Sequence, residues 1–443
     1  MKHSVSPYTH RNVWSLSAPM ILSNITVPLL GLVDTAVMGH LESPRYLGAV
    51  AVGATIFSFI FMGLNFLRMG TTGLAAQSRG ANDPDEMRTV LAQAVLIALG
   101  MAALVLLMQR PVGHLAMWLI APAPEVISPA WTYFNVRIWA APAALTNLAL
   151  VGWFIGMQNT RAPLYLMLAT NVTNIALSVL LVVGLGYRAG GVAAASVVAE
   201  FTGLALGVWL ARHQLAGFDG RLRRSNIIDP VKLRRILSVN GNLLVRTMSL
   251  MFVFGFITAQ GARMGTAILA ANAILIQFQY LMAYALDGFA HAAEALAGRA
   301  LGENNHQGFR EAVRLSLIWS AAVAILFALA YAIAGRSLIA LLTGQAELRE
   351  LSASFLPWMI LSALVSFWSF LLDGVFVGAT WARDMRNTML LCSFGIFVPV
   401  FYLTQALGLG NHGLWLAFVV FMSARAVTMG RVYRIKMRPA AIS

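Results

Sequence analysis

One apolar run in the second half of the chain carries three titratable side chains at helical spacing. Asp287, His291 and Glu294 stand in the stretch YALDGFAHAAEALAG at i, i+4 and i+7, so a helix presents them on one face. Asp373 is a further acid of the same half, inside a second apolar run. Such groups bind a cation, or they form a polar network that holds helices together, and both interpretations stay open.

The first half of the chain carries a different polar group. Asp34 lies in VPLLGLVDTAVMGH with no basic neighbour within two helical turns, and desolvation favours the neutral form of such an acid. We therefore expect Asp34 to bind a proton reversibly. Asn171, Asn174 and Ser178 share one face of a helix and, with Asn147 as a weaker candidate, they would line a cavity beside Asp34. The alternative is that these amides link helices to one another.

The composition is that of a membrane protein. Of the 443 residues, 59% are hydrophobic and 11% are charged, whereas a soluble domain is about 45–50% apolar and about 25% charged. Apolar runs near the length of a membrane span recur along the chain, and they are continuous rather than alternating, which favours helices over a membrane β-barrel. The net charge of +14 comes from basic residues in short loops, so no nucleic-acid partner is expected.

Turn and charge signals predict an all-α polytopic membrane protein with twelve transmembrane helices in two pseudo-symmetric six-helix lobes. The predicted spans are 13–38, 46–78, 86–109, 127–157, 163–185, 190–211, 236–260, 266–298, 308–334, 351–379, 387–408 and 412–434.

The distribution of basic residues predicts the orientation. With a cytoplasmic N-terminus, 22 Lys and Arg residues fall on the inside and 6 on the outside, which places both termini in the cytoplasm. The longest polar segment, 212–235, predicts a cytoplasmic linker between an N-terminal lobe, 1–211, and a C-terminal lobe, 236–443. The first apolar run continues into a full-length span, so we expect no cleavable signal peptide.

The two halves resemble each other at one constant spacing, the repeat offset, which aligns Asp34 with Phe256 and Asn171 with Ser393. At this offset RGAND aligns with LGENN, and FIGMQNTR aligns with FVGATWAR. Six spans per half is an even number, so the repeats are parallel, as in carriers that work by alternating access. The polar residues are not repeated, since neither Asp34 nor Asn171 is aligned with a residue of its own type in the second half. Each half is therefore expected to have its own task.

Motifs of several other classes are missing from the sequence. None of the three lysines follows Gly or precedes Ser or Thr, so there is no P-loop lysine for ATP. No HExxH or GxSxG motif occurs, and no second histidine lies in the interior of a predicted span with His291, so we expect neither a metal centre nor a cofactor. Arg137 and Glu200 also lie in spans, and Arg137 could pair with an acid across the bundle.

Several stretches together resemble the multidrug and toxic compound extrusion (MATE) family, and within it the DinF-like branch. They are spread over nearly the whole chain and read VDTAVMGHL, LGAVAVG, GWFIGMQNTRAPL, NVTNIALS, LDGFAHAAEALAG and LLDGVFVGAT. The resemblance implies two six-helix lobes, cation-driven efflux of amphipathic drugs and toxins, and Asp34 as the proton-accepting acid. DinF-like proteins commonly carry a second acid at the place of Ser178, so Asp34 is expected to be the sole acid of the N-lobe cavity.

The leading hypothesis is an antiporter of the inner membrane that exchanges amphipathic, often cationic small molecules for protons. We expect it to be a monomer in contact with membrane lipids. Sodium coupling is the alternative within the family. A lipid-intermediate flippase of the wider exporter superfamily is a further alternative, although such proteins usually have fourteen spans. A membrane-embedded lipid enzyme, using the acids and histidine of span eight as acid and base, is the alternative from another class.

Overall fold

The computed structural model describes residues 7–39 and 43–438, and the side chains of 27–39 lie outside the description. Asp34 is one of the residues whose side chain is not described. The described residues form helices joined by short turns, with no strand among them. Backbone groups in a bilayer must be satisfied within the segment itself, and helices achieve this.

Nine helices form the first part of the described chain. They are α1 (His10–Gly39), α2 (Pro44–Leu64), α3 (Phe66–Gly80), α4 (Pro84–Leu107), α5 (Gln109–Ile120), α6 (Pro124–Arg137), α7 (Ala141–Gly156), α8 (Arg161–Ser178) and α9 (Arg188–Ala216). Two predicted spans of this first part are each built from two helices, α2 with α3 and α6 with α7. The short helix α5 was not predicted, and it lies in the connection that follows the third predicted span.

Eight helices form the second part. They are α10 (Arg224–Ile227), α11 (Pro230–Arg263), α12 (Thr266–Gly302), α13 (His306–Leu342), α14 (Ala346–Gly378), α15 (Ala382–Leu390), α16 (Val398–Ala406) and α17 (Gly410–Lys436). The π-helical segment Leu391–Phe397 joins α15 to α16.

Eleven candidate membrane spans occur among the described residues. Helix α1, with 30 residues, precedes them, and at about 1.5 Å per residue it is roughly 45 Å long. Each of the twelve predicted spans therefore coincides with a helical segment, and the predicted all-α polytopic fold is confirmed.

The chain divides into two compact units, Leu22–Leu237 and the combination of Met1–Ile21 with Ser238–Ser443. The lobes predicted as 1–211 and 236–443 stay a prediction. In the second unit, Tyr8 donates a hydrogen bond of 2.6 Å to Glu303 at the end of α12. Burial, together with this bond, raises the pKa of Tyr8.

The backbone repeats itself at the same offset that the sequence indicates. Left-handed residues recur in four pairs with closely matching φ: Asn82 and Asn304 (52° and 53°), Gln158 and Thr380 (56° and 55°), Gly186 and Gly408 (71° and 74°), and Arg188 and Gly410 (49° and 51°). Such conformations are uncommon for residues other than glycine, so their coincidence marks a duplicated scaffold.

Close helix contacts are repeated as well. A Cβ atom at Gly152 would lie 2.2 Å from the carbonyl oxygen of Arg68, and one at Gly374 would lie 2.3 Å from that of Ala290. Only glycine allows the backbones of α3 and α7, and of α12 and α14, to approach this closely.

Candidate functional site

A cavity of about 580 Å³ lies within the unit Leu22–Leu237. This volume is typical of sites for drug-sized ligands, which occupy about 300–1,000 Å³. Helices α2, α6, α7, α8 and α9 contribute to its walls. Its polar lining comes mainly from Arg137, Asn147, Thr170, Asn171, Asn174, Ser196 and Glu200, and its apolar lining includes Phe57, Phe61, Val151, Leu166 and Met167.

The predicted polar face of α8 is present in the structure. Asn171 donates a hydrogen bond of 3.0 Å from Nδ2 to Oγ1 of Thr26 on α1. Asn174 donates one of 2.8 Å to Oγ of Ser196 on α9. Ser178 in turn donates to Oδ1 of Asn174 at 3.3 Å. The three side chains therefore lie together, with both asparagines lining the cavity and Ser178 fully buried one turn beyond Asn174.

Asn147 on α7 faces the same cavity and binds Glu200 on α9. Its Nδ2 atom donates to the Glu200 backbone oxygen at 3.0 Å and to Oε2 of the side chain at 3.1 Å. Arg137 at the end of α6 places Nη2 3.5 Å from Oε1 of the same carboxylate. The Arg137 guanidinium also lies 5.7 Å and 5.6 Å from the ring centres of Phe57 and Phe61. The cavity thus contains an ion pair beside an aromatic wall.

The expectation that Asp34 is the sole acid of this cavity is wrong, because Glu200 lines it. The sequence places Glu200 in a span but does not assign it to the cavity. The available signal was the presence of Arg137 in another span of the same half, which needed an acid as a partner. The pairing across the bundle that Arg137 allowed is present.

The second unit places Asp373 on α14 between two arginines. Its Oδ2 atom accepts hydrogen bonds from Arg246 on α11 and, at 2.5 Å, from Arg425 on α17. The residues are 9%, 8% and 2% exposed, respectively, so one carboxylate oxygen binds two buried guanidinium groups. Buried charges persist only when they are paired in this way.

Arg425 was not recognised from the sequence as part of this group. The total of 22 inside basic residues includes Arg425, but this residue is buried within α17 and bound to Asp373, so it does not belong to that total. A usable signal existed, because Arg425 stands inside a predicted span and aligns at the repeat offset with Gly203, which has no side chain.

Of the three titratable residues of α12, Glu294 lies at the contact with α14 and His291 lies beside Glu294. His291 Nδ1 is 3.4 Å from Oε1 of Glu294, and both side chains are buried. Asp287 is half-buried and interacts electrostatically with Arg246. Gly378 of α14 packs against the Glu294 backbone, where a Cβ atom would lie 2.3 Å from the carbonyl oxygen. Within the described residues, no group of three or more His, Cys, Asp or Glu side chains is arranged to hold a metal ion.

The MatE family model matches the chain twice, over residues 19–180 and 243–403. The two matches cover the two halves of the repeat. The chain therefore belongs to the MatE family of multidrug efflux transporters, as the sequence motifs predicted.

The similarity to relatives extends over nearly the whole length of both chains. The chain is 43% identical to DNA damage-inducible protein F of Escherichia coli K12, covering 95% of this chain and 91% of the relative. It is 25% identical to the probable multidrug resistance protein NorM of Bradyrhizobium diazoefficiens, covering 91% and 89%. An outward-facing structure of a multidrug resistance MATE family transporter superposes with a TM-score of 0.86 at 19% identity, covering 97% and 96% of the two chains. The enzyme alternative is thereby set aside.

Proposed function

We propose that the protein is a proton-coupled antiporter that exports amphipathic, often cationic drugs and toxins by alternating access. The observation that carries this proposal is the drug-sized cavity of the first half, which combines amides, an acid and aromatic walls. A membrane potential of about 150 mV supplies about 3.5 kcal/mol per charge, which supports a gradient of a few hundred-fold for one net charge.

Asp34 is the proposed proton carrier. The hydrogen bond between Thr26 and Asn171 joins α1 to α8, and the two helices run in the same direction in the proposed topology. Asp34 follows Thr26 by eight residues and Ser178 follows Asn171 by seven. Because each helical residue rises by about 1.5 Å, we expect Asp34 and Ser178 at nearly the same depth.

Protonation of Asp34 removes a charge that must otherwise be solvated. Helices α1 and α8 then pack more closely, the cavity shrinks and the bound drug leaves. Binding of a cationic drug favours the ionised acid, so proton and drug compete, as reciprocal linkage requires.

The second half supports protons rather than sodium as the coupling ion. A hard cation needs oxygen ligands whose negative charge is available to it. The charge of Asp373 is already compensated by Arg246 and Arg425, each bound to the same oxygen. We therefore assign Asp287, His291, Glu294 and Asp373 to a structural network rather than to a second cation site.

The proposed location is the bacterial inner membrane, with the protein acting as a monomer and both termini in the cytoplasm.

Cys392 is fully buried, so single engineered cysteines can be labelled with little background. A membrane-impermeant maleimide added to intact cells should label cysteines placed at Arg188 and Arg336 but not at Arg223. Labelling at position 223 alone would reverse the orientation.

The transport proposal is tested in proteoliposomes that hold a pH gradient. Addition of an amphipathic cation should dissipate the gradient in vesicles with the protein, and not in protein-free vesicles. Transport that responds to sodium and leaves the pH gradient intact would replace proton coupling with the sodium alternative.

A further inference from the structure

Among the described residues, the charged side chains that line the cavity form one pair. Among the described residues that line it, only Arg137 and Glu200 are charged. Their closest atoms are 3.5 Å apart, longer than the ~2.7–2.9 Å of a strong charge-assisted hydrogen bond. The carboxylate has a second partner in Asn147, and the guanidinium lies beside the rings of Phe57 and Phe61.

Two buried polar atoms beside this pair lack hydrogen-bond partners in the part of the chain that the structure describes. They are Nη1 of Arg137, a donor, and Oδ1 of Asn147, an acceptor. An unsatisfied buried polar group costs about 1–3 kcal/mol, and more when it is charged. A ligand that supplies both an acceptor and a donor at this place removes both costs.

The pair is not required by the scaffold. At the repeat offset, Met359 stands in the place of Arg137 and Met422 in the place of Glu200. Both methionines are buried within helices that repeat the same fold, at 1% and 2% exposure. The charges of the first half therefore serve something other than helix packing.

The chemistry of the pair defines the ligand that complements it. A planar guanidinium binds a carboxylate through two parallel hydrogen bonds. An ammonium or iminium group of the ligand is complementary to Glu200 and to Oδ1 of Asn147. A simple cation pairs with Glu200 but is repelled by Arg137. A simple anion pairs with Arg137 but is repelled by Glu200. A zwitterion satisfies both residues and brings no net charge into the membrane.

We infer that Arg137 and Glu200 select zwitterionic amphipathic substrates, with the substrate carboxylate bound by Arg137 and its cationic group by Glu200. The apolar body of the substrate packs on Phe57 and Phe61, beside which the guanidinium already lies. This inference rests on the proposed function, since it takes the cavity to be the transport site.

Two dyes that differ at one group test the inference. A rhodamine with a free carboxylic acid is a zwitterion, and its methyl ester is a cation with the same ring system. Uptake of each is measured in proteoliposomes under the same proton gradient, and kcat/KM for the acid is divided by kcat/KM for the ester. Wild-type protein should favour the acid, and R137M/E200M, which copies the residues of the second half, should lower the ratio tenfold or more.

Further variants separate selection from a structural effect. R137K keeps the charge but lacks the planar fork, so it should lower the acid-to-ester ratio by less than R137M/E200M does. K232Q breaks the Lys232–Glu86 ion pair, which belongs to the same unit but does not line the cavity, and it should leave the ratio unchanged. Should a variant be too unstable to reconstitute, equilibrium binding of each dye to purified protein gives a ratio of affinities that tests the same selection.

The outcomes distinguish the two proposals. An acid-to-ester ratio that is the same in wild type and R137M/E200M overturns the selection by Arg137 and Glu200, while proton-driven uptake of the ester still supports the proposed function. If the wild-type protein moves neither dye under a proton gradient, the proposed function fails, and the inference that rests on it fails as well.

Discussion

The two halves of the molecule keep the same backbone interaction and change the side chains that make it. In the first half, Asn147 donates to the backbone oxygen of Glu200 at 3.0 Å. In the second, Ser369 donates to the backbone oxygen of Met422 at 2.7 Å. The two donors align with each other at the repeat offset, and so do the two acceptors, so one inter-helix bond is conserved through the duplication.

The helices that carry this hydrogen bond differ between the two halves in the side chains around the cavity. Val151 lines the cavity, and a Cβ atom at Gly203 would lie 2.4 Å from Thr170 Oγ1. At the equivalent positions of the second half stand Asp373 and Arg425, which pair with each other. An open site in one half therefore corresponds to a buried ion pair in the other. A duplicated scaffold can thus divide transport and structural support between its halves.

The largest expected effect concerns the buried ion pair of the second half. D373N removes the carboxylate charge that binds both Arg246 and Arg425, and breaking a buried pair in this way costs about 3–5 kcal/mol of stability. The thermal unfolding of the purified variant should therefore begin well below that of the wild type. Wild-type stability together with an altered sodium dependence of transport would instead make Asp373 a cation ligand.

A smaller effect is expected at the paired glycines. G152A and G374A each force a methyl group against a backbone oxygen, and such overpacking costs about 1–3 kcal/mol. The two variants should lose similar amounts of stability in thermal unfolding, because the contacts are equivalent. G255A is the control, since a Cβ atom there has open space. A large loss in only one half would show that the contacts are not equivalent.

The smallest effect concerns the conserved hydrogen bond. N147A and S369A each remove one donor, which costs about 1 kcal/mol. Both variants should therefore lose little stability, and N147A should lose more because Asn147 also donates to the Glu200 side chain. Only N147A should also reduce transport, because Asn147 lines the cavity. Equal transport defects in the two variants would argue against the division of tasks between the halves.

The fold was largely predictable because the bilayer restricts it. A span needs about twenty apolar residues in a helix, and this requirement is visible in the sequence. The duplication was visible as well, since it depends on turn residues such as Asn82 and Asn304 whose backbone conformation is demanding. Helix α5 was missed because it is too short, at 12 residues, to give a span signal.

The partners of the polar residues were harder to predict. Periodicity indicates which residues share a face, as it did for Asn171, Asn174 and Ser178, but it does not say which helix lies opposite. Arg246 and Asp373 are far apart in sequence, and their contact depends on how α11 packs on α14. The pairing of Arg137 with Glu200 had the same difficulty, so one acid of the cavity was overlooked.

The central claim is that the first half couples transport to protons and the second half provides structural support. It is tested most directly by measuring proton-driven and sodium-driven uptake of a cationic dye in proteoliposomes containing wild type, D34N or E294Q. The account predicts that D34N loses proton-driven uptake, while E294Q lowers stability and keeps the wild-type ion dependence. Full proton coupling in D34N, or a changed ion dependence in E294Q, would contradict it.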